Sequence, residues 1–394
     1  MSATIDVCIR GAGIVGRTLA LLLAGERLRV GLVQSAAPGT SGGDVRAYAL
    51  NAASRQLLAS LRAWPAAQHA TPVQTMQVHG DNGGEVRFTA TEQGVEALAW
   101  IVDVPALEAS LAEAVRYQPL IELLDQPRPA ALTVVCEGRA STTRAEFGVH
   151  FDVTPYGQHG VAARLDCEKP HAFTARQWFG GGEILAFLPL SQPSGNSVAL
   201  VWSVPEARAT EVLALAPEEF TARLETMSRG ALGKLSLISA RAAWPLQLAR
   251  ASRWCGPGWA LAGDAAHSVH PLSGQGLNLG LADVQALANV LREREYWRSV
   301  GDEKLLRRYE RARKADVLLL NREFFPLIAQ IAPRLERIRH YILVDDEGTP
   351  LLDAPEMEPT SRRPVHPTCR PDPAIAHTLG LLRLGAGRGF LVFG

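Results

Sequence analysis

Residues 5–34 read IDVCIRGAGIVGRTLALLLAGERLRVGLVQ, and the glycines at 11, 13 and 16 decide the fold. Ile5 to Ile9 form a short β-branched strand, and the G-x-G-x-x-G that follows opens an apolar helix from Ile14 to Ala24. A second strand, Leu28 to Val33, comes next. The first two glycines permit a tight turn and close backbone approach, and the free N–H groups of the helix start face a pyrophosphate. Gly11, Ala12, Gly13, Ile14 and Gly16 are therefore expected to hold an adenine dinucleotide. A bare glycine motif is weak; the strand before it, the helix after it and the second strand at the right distance strengthen it. One position departs from the pattern. The second strand ends in Gln34, where an acid usually accepts from the ribose hydroxyls; an amide oxygen still accepts, without charge.

A second nucleotide signature lies at 259–283, WALAGDAAHSVHPLSGQGLNLGLAD. An apolar strand from Trp259 to Ala262 runs into Gly263-Asp264, then into a loop with Pro271 and glycines at 274, 276 and 280, then into a helix of about 15 residues rich in Leu and Ala. A carboxylate just beyond a buried strand accepts hydrogen bonds from sugar hydroxyls. The glycine loop leaves N–H groups free at a helix start, where negative charge is favoured.

This stretch resembles the Gly-Asp motif of FAD-dependent aromatic hydroxylases of the para-hydroxybenzoate hydroxylase type, the class A flavoprotein monooxygenases, and is most similar to their ubiquinone-biosynthesis branch. Further resemblance lies in DVRAYALNAASRQLLASLRAW (44–64), YGQHGVAARL (156–165), EKPHAFTARQWF (168–179) and LAFLPLS (185–191), so that it covers residues 4–343 in the family's order. The resemblance implies an α/β fold with a Rossmann-like, glutathione-reductase-type FAD-binding domain, interleaved with a mixed-sheet substrate domain, plus C-terminal helices. The FAD domain would take residues 1–70, 100–148 and 245–343, and the substrate domain 71–99 and 149–244.

By the same resemblance Gly11, Gly13 and Gly16 hold the FAD pyrophosphate, Gln34 replaces the acid on the adenosine ribose, Asp264 after Gly263 binds the ribityl chain, and Arg46 reaches the flavin or its phosphates. Pro271, Gly274, Gln275, Gly276, Leu277 and Asn278 would lie along the isoalloxazine. His270, next to Pro271, would sit near the flavin face and assist proton transfer; a satisfied loop histidine is the plainer alternative. The implied activity is hydroxylation of a phenolic ring, in the ubiquinone branch a polyprenylated one. NAD(P)H serves as transient reductant, and O2 enters through a flavin hydroperoxide. No second G-x-G-x-x-G is present for the nicotinamide. The alternatives are another flavin oxidoreductase on this scaffold, such as a prenyl-chain reductase or a halogenase, and a degenerate FAD-binding accessory protein of a biosynthetic complex. The W-x-W-x-I-P motif usual in halogenases is not found.

Two features depart from the family. Its Asp-Gly motif with a following arginine is replaced by VVCEGRASTTR, which gives Glu137-Gly138 and Arg144. A longer carboxylate at Glu137 would still serve the pyrophosphate or nicotinamide, with its tip displaced by about one methylene. The run before it, from Arg116 to Val134, is short for two strands and carries Pro119, Pro127 and Pro129.

Composition excludes several classes. Apolar residues make up 47% and charged residues 20%, and Lys plus Arg equals Asp plus Glu at 40 each. No global field favours nucleic acid or an anionic membrane. Cys8, Cys136, Cys167, Cys255 and Cys369 form no C-x-x-C pair, and the histidine pair His267 and His270 has no acid or cysteine cluster beside it, so no metal site is expected. The opening residues lack a signal pattern, and no apolar run of about 18 residues appears, so a cytoplasmic protein is expected. The segment 292–340 has 13 basic against eight acidic residues, and Leu327, Ile331, Leu335, Ile338 and Ile342 keep helical spacing. Such a helix either packs on the FAD domain or rests peripherally on the inner face of a membrane.

Trp178, Phe179, Phe187, Leu188, Pro189 and Trp202 are candidates for lining a substrate pocket, though core packing is the commoner fate of such residues. One helix, near 217–227, is expected in this region. Residues 344–394, with seven of the 25 prolines, read as an irregular tail.

Overall fold

The computed structural model describes residues 4–34, 44–80, 83–190, 195–269 and 274–319. Val7–Arg10 is the centre of a six-stranded sheet. It pairs in parallel with Val30–Val33 on one side and Leu132–Val135 on the other. Ile121–Leu124 and Trp259–Leu261 extend the parallel array, and Cys255–Gly256 closes one edge antiparallel. A strand buried on both faces must be apolar throughout, and Val7, Cys8 and Ile9 are at most 1% exposed. The short run 116–134 does hold both of its strands: Ile121–Leu124 sits at the edge, Leu132–Val135 sits inside, and Pro127 and Pro129 fall between them, where no ladder N–H is needed. The expected first helix is observed as Ile14–Gly25, and the helix of the second signature runs longer than expected, over Gln275–Arg292.

The second layer is a nine-stranded mixed sheet built around the long strand Phe151–Cys167. Its neighbours Ala242–Ala251 and Ser197–Pro205 are antiparallel to it, whereas Thr174–Gly180 and Thr75–His79 pair in parallel. A small sheet of Ala47–Leu50, Ala99–Asp103 and Ala70–Val73 lies between the two layers. Alternation explains its place. Ala49, Val73 and Ile101 pack on Ala175, Leu188 and Ala199 of the large sheet, while Leu50, Trp100 and Val102 join the core of the six-stranded one.

The outer face of the large sheet is covered by two helices, Glu206–Ala214 and Pro217–Met227, where one was expected. The first is short, with only Ala209 and Val212 buried; it is set by these two packing on the sheet, a tertiary contact that its own periodicity barely announces. Trp178, Phe187 and Trp202 lie beneath these helices with Phe220, so they are core rather than pocket lining. Leu188 packs between the layers instead.

In the last described helix, Glu303–Leu319, Leu305, Leu306 and Tyr309 are fully buried in the core of the dinucleotide layer. The stripe from Leu327 to Ile342 and the tail 344–394 lie outside the described residues. No helix among the described residues is long and apolar enough to cross a membrane.

A buried charge cluster joins these elements. Asp283, in the helix Gln275–Arg292, is 0% exposed and accepts hydrogen bonds from Gly263 N (3.0 Å), His267 Nε2 (2.6 Å) and Arg313 Nε (2.8 Å). Burial alone would raise its pKa, but His267 and Arg313 hold it below the ordinary 3.8. Its contribution to stability is therefore complete above that value and is lost as the pH falls through the lower folded one. Removing one partner of a buried cluster strands the others. Asp283→Asn should lower stability at neutral pH by about 3–5 kcal/mol and flatten this part of the acid limb, as read from urea midpoints across pH.

Candidate FAD site

The first signature is built by close backbone contact. Gly11 has φ +110°, and a Cβ there would meet the Cys136 carbonyl oxygen at 2.5 Å; one at Gly16 would lie 1.9 Å from Gly11 O. Glycine is required at both positions for packing alone. Gly13 differs. A Cβ at this N-cap would meet nothing within 4 Å, and no side chain caps the helix it opens. The free N–H groups of Ile14–Gly25 thus face open space. Gln34 is exposed at the end of the second strand, with its own N–H bonded to Leu124 O, so its side chain is available.

The second signature meets the first through Gly280. A Cβ there would touch Val15 Cγ2 at 2.9 Å and Gly263 Cα at 3.3 Å, so the helix Gln275–Arg292 crosses directly over the Gly263 turn and the first helix. Its start is uncapped as well: Gly274 is left-handed at φ +58°, no side chain bonds into the first turn, and a Cβ at Gly276 would meet nothing. The main-chain N–H groups of Gln275, Gly276 and Leu277 are those a helix start leaves without an internal partner. Asn278 plays another part. Its amide oxygen accepts from Asn51 N (3.0 Å) and Ser54 Oγ (2.7 Å), and its amide nitrogen donates to Ala49 O (2.8 Å) and Gly274 O (3.0 Å). The side chain fastens the glycine loop to the 47–60 segment.

Asp264 is enclosed, yet among the described residues its carboxylate accepts no hydrogen bond. Burial raises its pKa, against the opposing pull of His267, Arg139 and Arg46. Arg46 is bound by Asp44, with Nε 2.8 Å from Oδ1, and its Nη1 is 3.2 Å from Tyr48 Oη. That pairing holds the guanidinium charged more firmly than usual. Glu137 faces inward: it accepts from Arg10 Nε (3.1 Å), Ser141 Oγ (2.7 Å) and Thr143 Oγ1 (2.7 Å). Arg144 donates to Arg139 O (2.7 Å) and Ala265 O (3.2 Å) and stacks on Phe151. Glu137 and Arg144 thus hold the loop between them, and the cation this loop brings near Asp264 is Arg139. His270 and Pro271 lie outside the described residues.

Arg139, Tyr48 and the cluster of His267, Asp283 and Arg313 were not assigned roles from sequence. A signal existed for Asp283 alone, as a single acid in the apolar run LNLGLADVQAL.

Two uncapped helix starts with open space at Gly13 and Gly276, and, in the turn on which both helices pack, a carboxylate that accepts no hydrogen bond among the described residues, fit a dinucleotide that carries a sugar-like chain. The fold and site define a flavoprotein of the FAD-binding class. A family model described as FAD binding domain matches residues 128–320. The chain is 30% identical over 343 residues to the 3-demethoxyubiquinol 3-hydroxylase of Escherichia coli K12, spanning 80% of this chain and 87% of that protein. It belongs to the FAD-dependent monooxygenase family of the ubiquinone hydroxylases, class A flavoprotein enzymes that act on aromatic, phenolic substrates. Among solved structures, PqsL of Pseudomonas aeruginosa in complex with 2-aminobenzoylacetate superposes with a TM-score of 0.69 at 23% identity, covering 86% of this chain and 98% of that one. The flavin-dependent brominase Bmp2 superposes at 0.64 with 13% identity, covering 85% and 90%. Fold alone therefore does not separate hydroxylation from halogenation.

The two kinds of glycine give opposite expectations. Gly11→Ala should destabilise the protein itself, seen as a lower Tm of the FAD-free form. Gly13→Ala should leave that Tm unchanged and weaken FAD binding about tenfold, ~1.4 kcal/mol, measured by quenching of flavin fluorescence.

A carboxylate accepts from sugar hydroxyls more strongly when ionised, so if Asp264 holds the ribityl chain FAD affinity should fall on acidification, with a midpoint above the ordinary 3.8. Asp264→Asn should weaken binding by about 1.5–3 kcal/mol and remove that pH dependence, as read by flavin titration at several pH values.

Proposed function

We propose that this enzyme hydroxylates a phenolic ring whose substituents include a polyprenyl chain, with NAD(P)H as reductant and O2 as the source of the inserted oxygen. The observation that carries the reading is the contact of Gly280 with Val15 and Gly263, which brings the helix opened at Gly13, the helix opened at Gly274 and the Gly263-Asp264 turn together, with open space at Gly13 and Gly276. Gly11, Ala12, Gly13, Ile14 and Gly16 would hold the pyrophosphate, Gln34 the adenosine ribose, and Asp264 the ribityl chain. The N–H groups of Gln275, Gly276 and Leu277 would face the ring system.

Bound FAD supplies the redox chemistry and the activation of oxygen. The protein's share is to bind and orient. The positive end of the helix Gln275–Arg292 favours negative charge at its start, and Arg46 and Arg139 add charge of the same sign near Asp264. The two layers closing on each other exclude water from the space between them. His270 and Pro271 are proposed to lie against the flavin and to aid proton movement there.

A substrate with a polyprenyl tail resides in a membrane, so peripheral contact with its inner face, or handover within a biosynthetic complex, accompanies this reading. Vesicle flotation that stays negative at low salt would remove the membrane part.

The test measures NADH and NADPH oxidation with and without a panel of polyprenyl phenols, scoring hydroxylated product by mass. Substrate should stimulate oxidation at least tenfold and yield a product heavier by one oxygen. A colourless protein that takes up no FAD overturns the enzyme reading, and bound FAD without NAD(P)H oxidation leaves the accessory role. Bromination in the presence of bromide, without hydroxylation, would transfer it to the halogenases.

A further inference from the structure

Gln177 is 1% exposed, and among the described residues neither its amide oxygen nor its amide nitrogen has a hydrogen-bond partner. An amide buried without partners is costly, and a native structure completes it with water or a ligand. Its place in the sheet favours a ligand. In Thr174–Gly180 the neighbouring Trp178 packs in the outer core under the helices, whereas Ala175 packs between the layers. Alternation puts Gln177 on the face of Ala175, turned toward the dinucleotide-binding layer.

The register then carries a row of small side chains across that face. Gln177 is opposite Ala186, Ala186 opposite Val201, and Val201 opposite Ala162. One pleat further on, Ser203 pairs with Gly160. Val201, two strands from Gln177, is only half-buried and packs against the core between the layers. On the other side of the row, Arg164 is opposite Ala199 and is bound to Asp103 through Nη1 (2.8 Å) and Nη2 (3.0 Å). The cation nearest the row is therefore already neutralised.

We propose that Gln177 is the specificity-determining residue for the substrate ring: Oε1 accepts from a neutral ring hydroxyl, and Nε2 donates to an oxygen beside it. Both halves of the amide are unsatisfied, so a group that only accepts, such as a benzoate carboxylate, would leave Oε1 facing negative charge. The inference rests on the hydroxylase reading above and narrows its substrates to neutral rings bearing a free hydroxyl.

The probes are 2-methoxyphenol and 1,2-dimethoxybenzene, which differ by one O-methyl group in place of the hydroxyl proton. Their binding to the FAD-loaded protein is followed by the change in flavin absorbance and, independently, by calorimetry. The wild type should bind the phenol about tenfold or more tightly than the ether. Gln177→Leu and Gln177→Met should fold with an equal or higher Tm and bind the two probes alike. A wild type that does not distinguish the probes, or variants that keep the distinction, would overturn the proposal and leave the amide to a buried water. A wild type without flavin absorbance would instead count against the FAD reading, and calorimetry would still decide the role of Gln177.

Discussion

The side chain that position 280 lacks holds the site together. With any Cβ there, the helix Gln275–Arg292 would press on Val15 and on the Gly263 backbone, and the contact that joins the two signatures would be disturbed. An anion between two uncapped N-termini is favoured by both dipoles only while both remain close, because the effect falls off within about one turn. The cofactor site is in this sense a packing constraint first and an electrostatic one second.

The second constraint is the charge buried under that contact. Asp283 takes the Gly263 N–H, the His267 ring and the Arg313 guanidinium together, so the Gly-Asp turn, the strand at 267–268 and the last described helix are tied to one carboxylate. His267 also stacks on Trp254, with ring centroids 4.8 Å apart, and Tyr309 donates to Leu261 O at 2.7 Å. Among the described residues the Asp264 carboxylate accepts no hydrogen bond, whereas that of Asp283 accepts three. The two acids are separated by 19 positions in sequence, and only Asp283 is tied into the fold by hydrogen bonds among the described residues.

Departures from the family pattern look different once their contacts are known. Glu137 spends its carboxylate on Arg10, Ser141 and Thr143, and Arg144 spends its guanidinium on carbonyls, so both act on the shape of the loop. Asn278 acts likewise, through Ala49, Asn51 and Ser54. Sequence placed these residues near the cofactor through the motifs that carry them. Whether a side chain in a motif faces a ligand or braces its neighbours depends in part on partners more than 100 positions away, such as Arg10 for Glu137, Ala265 for Arg144 and Asn51 for Asn278, which no local pattern contains.

The glycine spacings, the apolar strands and the Gly-Asp turn were determined by sequence alone, because the steric demand of a tight turn and the periodicity of a buried strand are local properties. That was enough to set the dinucleotide layer and its FAD, and to single out Gly13, Gln34 and Asp264 as candidates for holding it. Tertiary structure decided the rest. The helix Glu206–Ala214 exists because a sheet face needed cover, Trp178 and Trp202 became core because their face is the outer one, and Gln177 remained without partners because its alternation turned it to the inner one. The physical reason is shared: burial and hydrogen-bond satisfaction are properties of pairs, and the partners meet only after the chain has folded.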